Sequence, residues 1–199
     1  HITEGDQYFT GDINFVSTDG NPLLFDEKEM LEKFDLEKGK VFNPYKQNSD
    51  LSKISSIYLE RGYAFSKIRI SNDVNEESKT ASVTFHITRG EKAYIGRVEI
   101  QGNYETLDSV IRRELTIHEN ELYNGLRIIQ SQQKVNQLGF FESGTGVQFL
   151  QDKDEDKNLL DYDIILREGQ TGSFNASLTY SGESGFAVVF SVSKRNFLG

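Results

Sequence analysis

An internal repeat constrains the fold of this chain more than any other feature of its sequence. The segment His1-Ile2-Thr3-Glu4-Gly5 returns 85 positions later as His86-Ile87-Thr88-Arg89-Gly90, and a looser return, Ile165-Leu166-Arg167-Glu168-Gly169, follows. The alternating residues after the first two segments also match: Phe9, Gly11, Ile13 and Phe15 correspond to Tyr94, Gly96, Val98 and Ile100. Such a period predicts two tandem copies of one structural unit, preceded by the end of another.

Each copy has the same predicted order of elements, β-α-α-β-β. An alternating first strand is followed by two helical stripes, of which the second opens with Asn43-Pro44, a favoured helix start. In the first copy we predict the middle strand over Ala64–Ile70 and the last strand over Thr80–Thr88. In the second copy the middle strand is predicted over Gly146–Leu150, and the last strand buries Leu160, Tyr162, Ile164 and Leu166. This order predicts an α+β fold.

The last thirty residues have a different character. From Gln170 to Gly199 the charged residues are Glu183, Lys194 and Arg195 alone. Apolar and polar residues alternate on both sides of a Gly/Ser-rich turn, which predicts a β-hairpin with one apolar face. That face carries Phe174, Ala176, Leu178, Tyr180, Phe186, Val188, Phe190 and Val192. Each arm has roughly the length that a tilted strand needs to cross a bilayer, so we interpret this segment as the start of a membrane β-barrel.

Composition and motifs argue against catalysis and against nucleic acid. The chain has no cysteine, which excludes disulfides, thiolate catalysis and zinc–thiolate sites. The chain has a net charge of −9, whereas binding to nucleic-acid phosphates needs clustered Lys and Arg residues. The acidic turn at Asp152–Asp156 does not fit a calcium loop, because Lys157 stands where glycine is required. We therefore predict no catalytic residue, no metal and no cofactor.

The segment Arg112-Arg113-Glu114 is predicted to lie on the first helix of the second copy, with Glu119 in the loop that follows. Two interpretations stay open from the residues alone. The three residues form either an exposed helical face with intrahelical ion pairs or a docking patch for a partner.

Several motifs together resemble those of POTRA domains, the polypeptide-transport-associated modules of the Omp85 superfamily. They are Val98-Glu99-Ile100-Gln101-Gly102-Asn103, Leu138-Gly139-Phe140-Phe141, Arg167-Glu168-Gly169, Thr171-Gly172-Ser173-Phe174 and Asn196-Phe197-Leu198-Gly199. The resemblance covers the whole chain and implies a three-stranded mixed sheet with two helices in each copy.

The resemblance also implies a division of the chain. Residues 1–7 would be the tail of a preceding POTRA repeat, 8–90 the penultimate POTRA domain, 91–169 the last one, and 170–199 the first two strands of an outer-membrane β-barrel. Two strands alone would leave unpaired backbone groups in lipid, which a bilayer does not tolerate. We therefore expect the 199 residues to be a fragment of a longer protein.

The function that the resemblance implies is non-enzymatic assembly of outer-membrane proteins in a Gram-negative bacterium. POTRA domains in the periplasm would bind unfolded client proteins, and the barrel would contact outer-membrane lipid. Three sets of site residues follow from it. Client strands would pair with the middle-strand positions Phe65, Lys67, Ile68, Arg69, Val147, Gln148 and Phe149. The barrel gate strand would include Ser173, Phe174, Asn175, Ala176, Ser177 and Leu178. An accessory helical-repeat lipoprotein would dock on Arg112 and Glu119 of the last domain.

Two alternatives lie close to this interpretation. One is another Omp85 member, either a translocation factor of the TamA type or a two-partner secretion transporter, which would differ in the number of upstream POTRA domains. The other is a periplasmic POTRA scaffold without a barrel. The alternating hairpin argues against the scaffold, because such modules end in soluble segments.

Overall fold

A computed structural model describes residues 7–169, 172–181 and 185–194. The predicted tail of a preceding repeat therefore lies outside the described residues, apart from Gln7. The strands are β1 (Phe9–Ser17), β2 (Lys67–Asn75), β3 (Thr80–Thr88), β4 (Tyr94–Gln101), β5 (Val147–Asp154), β6 (Leu159–Leu166), β7 (Gly172–Ser181) and β8 (Gly185–Lys194). The helices are α1 (Glu27–Glu32), α2 (Pro44–Glu60), α3 (Asp108–Arg112) and α4 (Gly125–Gln137).

Contacts divide the chain into two compact units. Unit 1 comprises His1–Tyr94, Leu122–Leu126 and Glu155–Asn158, and unit 2 comprises Ile95–Glu121, Arg127–Asp154 and Leu159–Gly199. None of the helices in the described ranges combines the length and the apolar character that crossing a membrane requires.

Unit 1 contains a mixed three-stranded sheet in the order β1-β3-β2. Strand β1 runs parallel to β3, and β2 runs antiparallel to it. The central strand buries alternate residues, as its alternation predicts. These residues pack against the core side of helices α1 and α2. The core cluster includes Met30, Phe34, Ile54, Tyr58, Val83, Phe85 and Ile87.

Both helices of unit 1 begin next to a side chain that caps them. The side chain of Asp26 accepts hydrogen bonds from the backbone N–H groups of Lys28 and Glu29, at 2.9 and 3.1 Å. Asn43 accepts the N–H of Tyr45 at 2.9 Å, and Pro44 occupies the first turn of α2. These bonds satisfy donors that a helix start otherwise leaves without partners.

Unit 2 repeats this arrangement with the strand order β4-β6-β5, in which β5 and β6 are antiparallel. All four residues predicted for the inner face of β6 are buried. Helix α3 contributes Ile111 to the core and α4 contributes Val135. The predicted α+β fold with two β-α-α-β-β copies is confirmed.

The first strand of unit 1 departs from the simple alternation. Phe9 is 40% exposed and Thr10 only 1%, because a bulge between Thr10 and Ile13 shifts the register against β3. Gly11 at the bulge leaves room for the side chain of Ser82, whose hydroxyl accepts the N–H of Asp12 at 3.2 Å.

Strand β4 has the equivalent feature at Gly96. There the side chain of Asp161 fills the space beside the glycine and accepts the N–H of Arg97 at 2.7 Å. Tyr94 is exposed and Ile95 is buried at the start of this strand.

The middle strands begin and end later than predicted. Strand β2 begins at Lys67 and continues to Asn75, and β5 runs from Val147 to Asp154, with four-residue turns at 76–79 and 155–158. Polar residues that resembled a turn are held in the strands by ladder pairing, for example Asn75 opposite Thr80. An edge strand with one solvated face tolerates such residues, so a prediction that ended the strands at the first polar residues placed their ends too early.

Strands β7 and β8 form the predicted antiparallel hairpin. Phe174 pairs with Val192, Leu178 with Val188, and Tyr180 with Phe186. Directly opposed residues share a face, so these side chains form one apolar surface. The surface is open to solvent, with Phe174 66% and Val192 77% exposed.

Candidate functional site

The predicted client-pairing residues fall mainly on sheet edges. Strands β2 and β5 are each the last strand in their sheets, so one side of each backbone has no neighbouring strand. The structure places Lys67, Ile68 and Arg69 in β2, and Val147, Gln148 and Phe149 in β5. Phe65 lies in the turn before β2, because the strand begins two residues later, so its predicted place in the middle strand is wrong.

The predicted docking residues Arg112 and Glu119 meet around one residue of β4. Glu119 Oε1 accepts the backbone N–H of Val98 at 2.8 Å. Both terminal nitrogens of Arg112 lie 3.5 Å from the carbonyl oxygen of Val98. Strand β4 is an edge of its sheet, so the two side chains cover backbone groups on its outer side.

Arg112 is also held from within its helix. Its Nε lies 2.6 Å from Asp108 Oδ2, one turn earlier in α3. Arg112 is the last residue of α3, whereas Arg113 and Glu114 follow the helix and pair with each other at 3.4 Å. The intrahelical ion pair that the sequence left open is therefore present, together with a contact to β4 that the sequence did not indicate.

A groove of about 230 Å³ lies beside this contact. Its apolar floor includes Leu115 and Ile117, both buried, and its rim is polar. The lining residues are Val98, Arg112, Leu115, Ile117, His118 and Glu119. Sequence reasoning missed four of them, because a strand, a helix end and a loop meet there only in the folded unit.

The segment after β6 is held by a second carboxylate. Glu168 accepts the backbone N–H groups of Glu105 and Thr106 at 2.9 and 2.7 Å. Burial raises the pKa of Glu168, but hydrogen bonds from Thr106 and from the backbone of Glu105 outweigh it, and the pKa is lowered overall. The carboxylate form therefore fixes the loop after β4 next to the residues that lead into the hairpin.

The predicted gate residues occupy β7. Alternate members share the apolar face, with Ala176 opposite Phe190, while Asn175 and Ser177 lie on the other face. Ser173 pairs with Ser193 through its backbone. Within the described ranges, no group of three or more His, Asp or Glu side chains is arranged to hold a metal ion.

This fold, with its repeated mixed sheets, matches a known family. The family model described as "Surface antigen variable number repeat", POTRA, matches residues 8–90 and 93–169. The chain belongs to the POTRA family.

Over its whole length the chain is similar to part of the outer membrane protein assembly factor BamA. It is 30% identical over 198 residues to BamA of Neorickettsia risticii, covering 100% of this chain and 26% of the relative. It is 29% identical over 202 residues to BamA of Nitratidesulfovibrio vulgaris, covering 100% and 25%. The chain thus spans about a quarter of the length of these curated relatives.

Solved structures agree on the fold. BamA from Haemophilus ducreyi lacking POTRA domains 1–3 superposes with a TM-score of 0.76 at 23% identity, covering 96% of this chain and 35% of that one. Haemophilus influenzae BamA POTRA3-5 gives 0.71 at 20% identity, covering 83% and 63%. The resemblance to the last POTRA domains and the start of the barrel of BamA is confirmed.

Proposed function

We propose that this chain is part of a non-enzymatic assembly factor for outer-membrane proteins. The observation that carries the proposal is its similarity to BamA relatives along its full length, from the POTRA repeats into the hairpin. A purely periplasmic scaffold would have no use for an apolar hairpin face exposed as widely as that of β7 and β8.

The proposal places the chain in the outer membrane of a Gram-negative bacterium, with POTRA domains in the periplasm. Residues 8–90 and 91–169 are the two POTRA domains, 1–7 the tail of a preceding one, and 170–199 the first barrel strands. In lipid, the face that carries Phe174 and Val192 would point outward, since barrel strands alternate between lipid and lumen.

Unfolded client proteins would bind at the outer edges of β2 and β5. An extended segment added there hydrogen-bonds to the unpaired backbone and needs little sequence specificity. The edge positions of both strands support this, and the exposed side chains of Lys67 and Arg69 leave one face of β2 accessible. Client strands would then pass to the gate strand, residues Ser173–Leu178 of β7.

An accessory helical-repeat lipoprotein, similar to BamD, would dock at Arg112 and Glu119. Both side chains are exposed at the rim of a groove whose floor is apolar. That combination of a charged rim and a buried apolar centre is typical of protein interfaces.

Site-specific photo-crosslinking tests the client site. A photoreactive residue is placed at Arg69 in β2 or at Gln148 in β5, and a urea-denatured outer-membrane protein is diluted into the sample. Crosslinks are expected at both edges. The matched control carries the photoreactive residue at Ser56, an exposed position on α2. Equal crosslinking at Ser56 would contradict edge pairing.

A further inference from the structure

The groove beside Arg112 and Glu119 has an equivalent in unit 1. A groove of about 330 Å³ lies between β1 and the segment after α1, lined by Asp12, Ile13, Leu31, Leu36, Glu37 and Lys38. In both units the loop after the first helix pairs with the first strand. Lys40 and Gly39 bond to Thr10 at 2.7 and 2.8 Å, and Glu121 and Asn120 bond to Ile95 at 2.8 and 2.7 Å.

The outer backbone beyond this pairing differs between the units. In unit 2 the next outward residue is Val98, whose N–H and C=O are covered by Glu119 and Arg112. The equivalent of Val98 in unit 1 is Ile13, because the first strands align with an offset of 85. In the first helix and the loop after it the offset is 81, as the equivalent loop residues Lys40 and Glu121 show. Unit 1 therefore has Leu31 at the position of Arg112 and Lys38 at the position of Glu119.

Neither replacement can cover the edge. Leucine has no donor for a carbonyl group, and a lysine has no acceptor for an N–H group. Lys38 instead pairs with Asp12 at 2.5 Å. Among residues 7–169, 172–181 and 185–194, no side chain bonds to the outward backbone of Ile13, and β1 is an edge of its sheet.

We propose that β1 of unit 1 is an additional strand-pairing edge, and that Arg112 and Glu119 close the equivalent edge in unit 2. The occupant is an extended segment of alternating apolar and polar residues, the pattern of outer-membrane strands. This inference rests on the proposed function and specifies which edges the clients use.

The geometry of β1 supports an extended occupant. After the bulge, Ile13, Phe15 and Ser17 are alternate residues, so their N–H and C=O groups point to the same side. The neighbouring groove has an apolar wall, formed by Ile13, Leu31 and Leu36, which can take one side chain of the added strand. An added strand would pair with the outward N–H and C=O groups of this edge.

Amide NMR on the full 199-residue chain tests the proposal. The probe is a synthetic peptide with the sequence of Gly172–Ser181, GSFNASLTYS, which alternates as required. The control peptide carries Ala176→Pro, which removes a ladder donor and disfavours strand pairing. The first peptide is expected to shift the amides of Ile13, Phe15 and Ser17 and to leave Val98 and Ile100 unchanged, whereas the control shifts none.

Variants of Glu119 test the closure. Glu119→Ala is expected to speed hydrogen exchange of the Val98 amide about tenfold or more, since a charge-assisted bond is lost. It is also expected to make Val98 and Ile100 respond to the peptide. Glu119→Gln keeps an acceptor oxygen and should behave like the wild type. In unit 1, the triple variant Asp12→Asn, Leu31→Arg, Lys38→Glu should weaken the response of Ile13.

The outcomes separate this inference from the proposed function. Peptide shifts confined to β2 and β5 would overturn the β1 edge and leave client pairing intact. A wild-type Val98 that responds as strongly as Ile13, or a Glu119→Ala variant that exchanges no faster, would overturn the closure. Absence of any response along the chain would overturn both the inference and client pairing by POTRA edges.

Discussion

Asp50 in α2 and Ser131 in α4 hold the same backbone position with different chemistry. Asp50 is fully buried and accepts the N–H groups of Asp35 and Leu36 at 2.8 and 2.9 Å. Ser131, 81 residues later, accepts the N–H of Thr116, which is likewise 81 residues after Asp35, at 2.9 Å. Each side chain ties the segment after the first helix to the second helix, and only unit 1 uses a charge for it.

Removal of Asp50 should therefore destabilise unit 1 more than removal of Ser131 destabilises unit 2. Asp50→Ala leaves two backbone donors unpaired and takes a partner from Lys53, 3.0 Å away, which should cost about 2–4 kcal/mol. Ser131→Ala should cost about 1–2 kcal/mol. Denaturant unfolding of the full chain measures both. Asp50→Asn retains one acceptor and should fall between wild type and Asp50→Ala; equal costs for all three variants would contradict the account.

Acid should weaken both units through their clamping carboxylates. Hydrogen bonds from the Asn21 side chain, and from the backbone of Gly90, Asn21 and Arg89, hold the pKa of Asp19 far below its usual range despite the opposing effect of burial. The pKa of Glu168 is also lowered. A carboxyl group whose pKa is lowered by folding stabilises the folded state at any pH above its pKa in the unfolded chain, about 3.9 for Asp and 4.3 for Glu. That stabilisation is lost as the pH falls toward the folded-state pKa.

The measurement is unfolding free energy against pH. The free energy of unfolding should be constant near neutral pH and decline below about pH 4, because these carboxyl groups bind protons in the unfolded chain at a higher pH than in the folded chain. Asp19→Asn keeps one of the two acceptor oxygens but does not titrate, so its curve should decline less steeply in acid. A variant curve parallel to that of the wild type would show that Asp19 does not contribute.

Glu119→Lys should weaken lipoprotein docking and also perturb the domain. A loop position by itself would suggest little effect on stability, but the lost charge-assisted bond to Val98 should cost about 1.5–3 kcal/mol. Opposite a basic partner surface, charge reversal can cost several kcal/mol in affinity. Pull-down with the cognate lipoprotein measures docking. Glu119→Gln separates charge from hydrogen bond, and Glu76→Lys in the turn of unit 1 is the matched charge control.

Two glycines with similar backbone angles should tolerate alanine differently. Gly102 has φ +88°, and a Cβ there would collide with the carbonyl oxygen of Leu166. Gly139 has φ +69° and open space around it. Gly139→Ala should cost about 1 kcal/mol from backbone strain, and Gly102→Ala roughly 1–3 kcal/mol more from the clash. Thermal unfolding ranks them, and equal losses would argue against the close approach.

The apolar face of the hairpin should drive self-association in water. A two-stranded hairpin is marginal without neighbours, and its open edges can pair with another copy. Truncation after Gly169 should therefore raise solubility and leave the two POTRA repeats folded. Light scattering compares the two chains. A monodisperse monomer for all 199 residues, with the hairpin amides protected from exchange, would contradict this prediction.

Alternation predicted the central strands correctly. In β3 and β6 the side chains packed against the helices are those that the period of two assigns to the core. A central strand has neighbours on both sides, so its side chains report burial directly. Edge strands were less predictable, because ladder pairing extended β2 and β5 into polar residues and left Phe65 outside β2.

By itself the sequence determined the repeat, the order of elements, the core faces and the apolar hairpin, since each is written in the spacing of neighbouring residues. Tertiary structure alone decided what lies across a strand edge. Arg112 and Glu119 meet at Val98 because the chain folds a helix and a loop back onto β4. The spacing of residues in the sequence does not indicate this contact. Only the folded structure shows that Arg112 and Glu119 contact the backbone C=O and N–H groups of Val98.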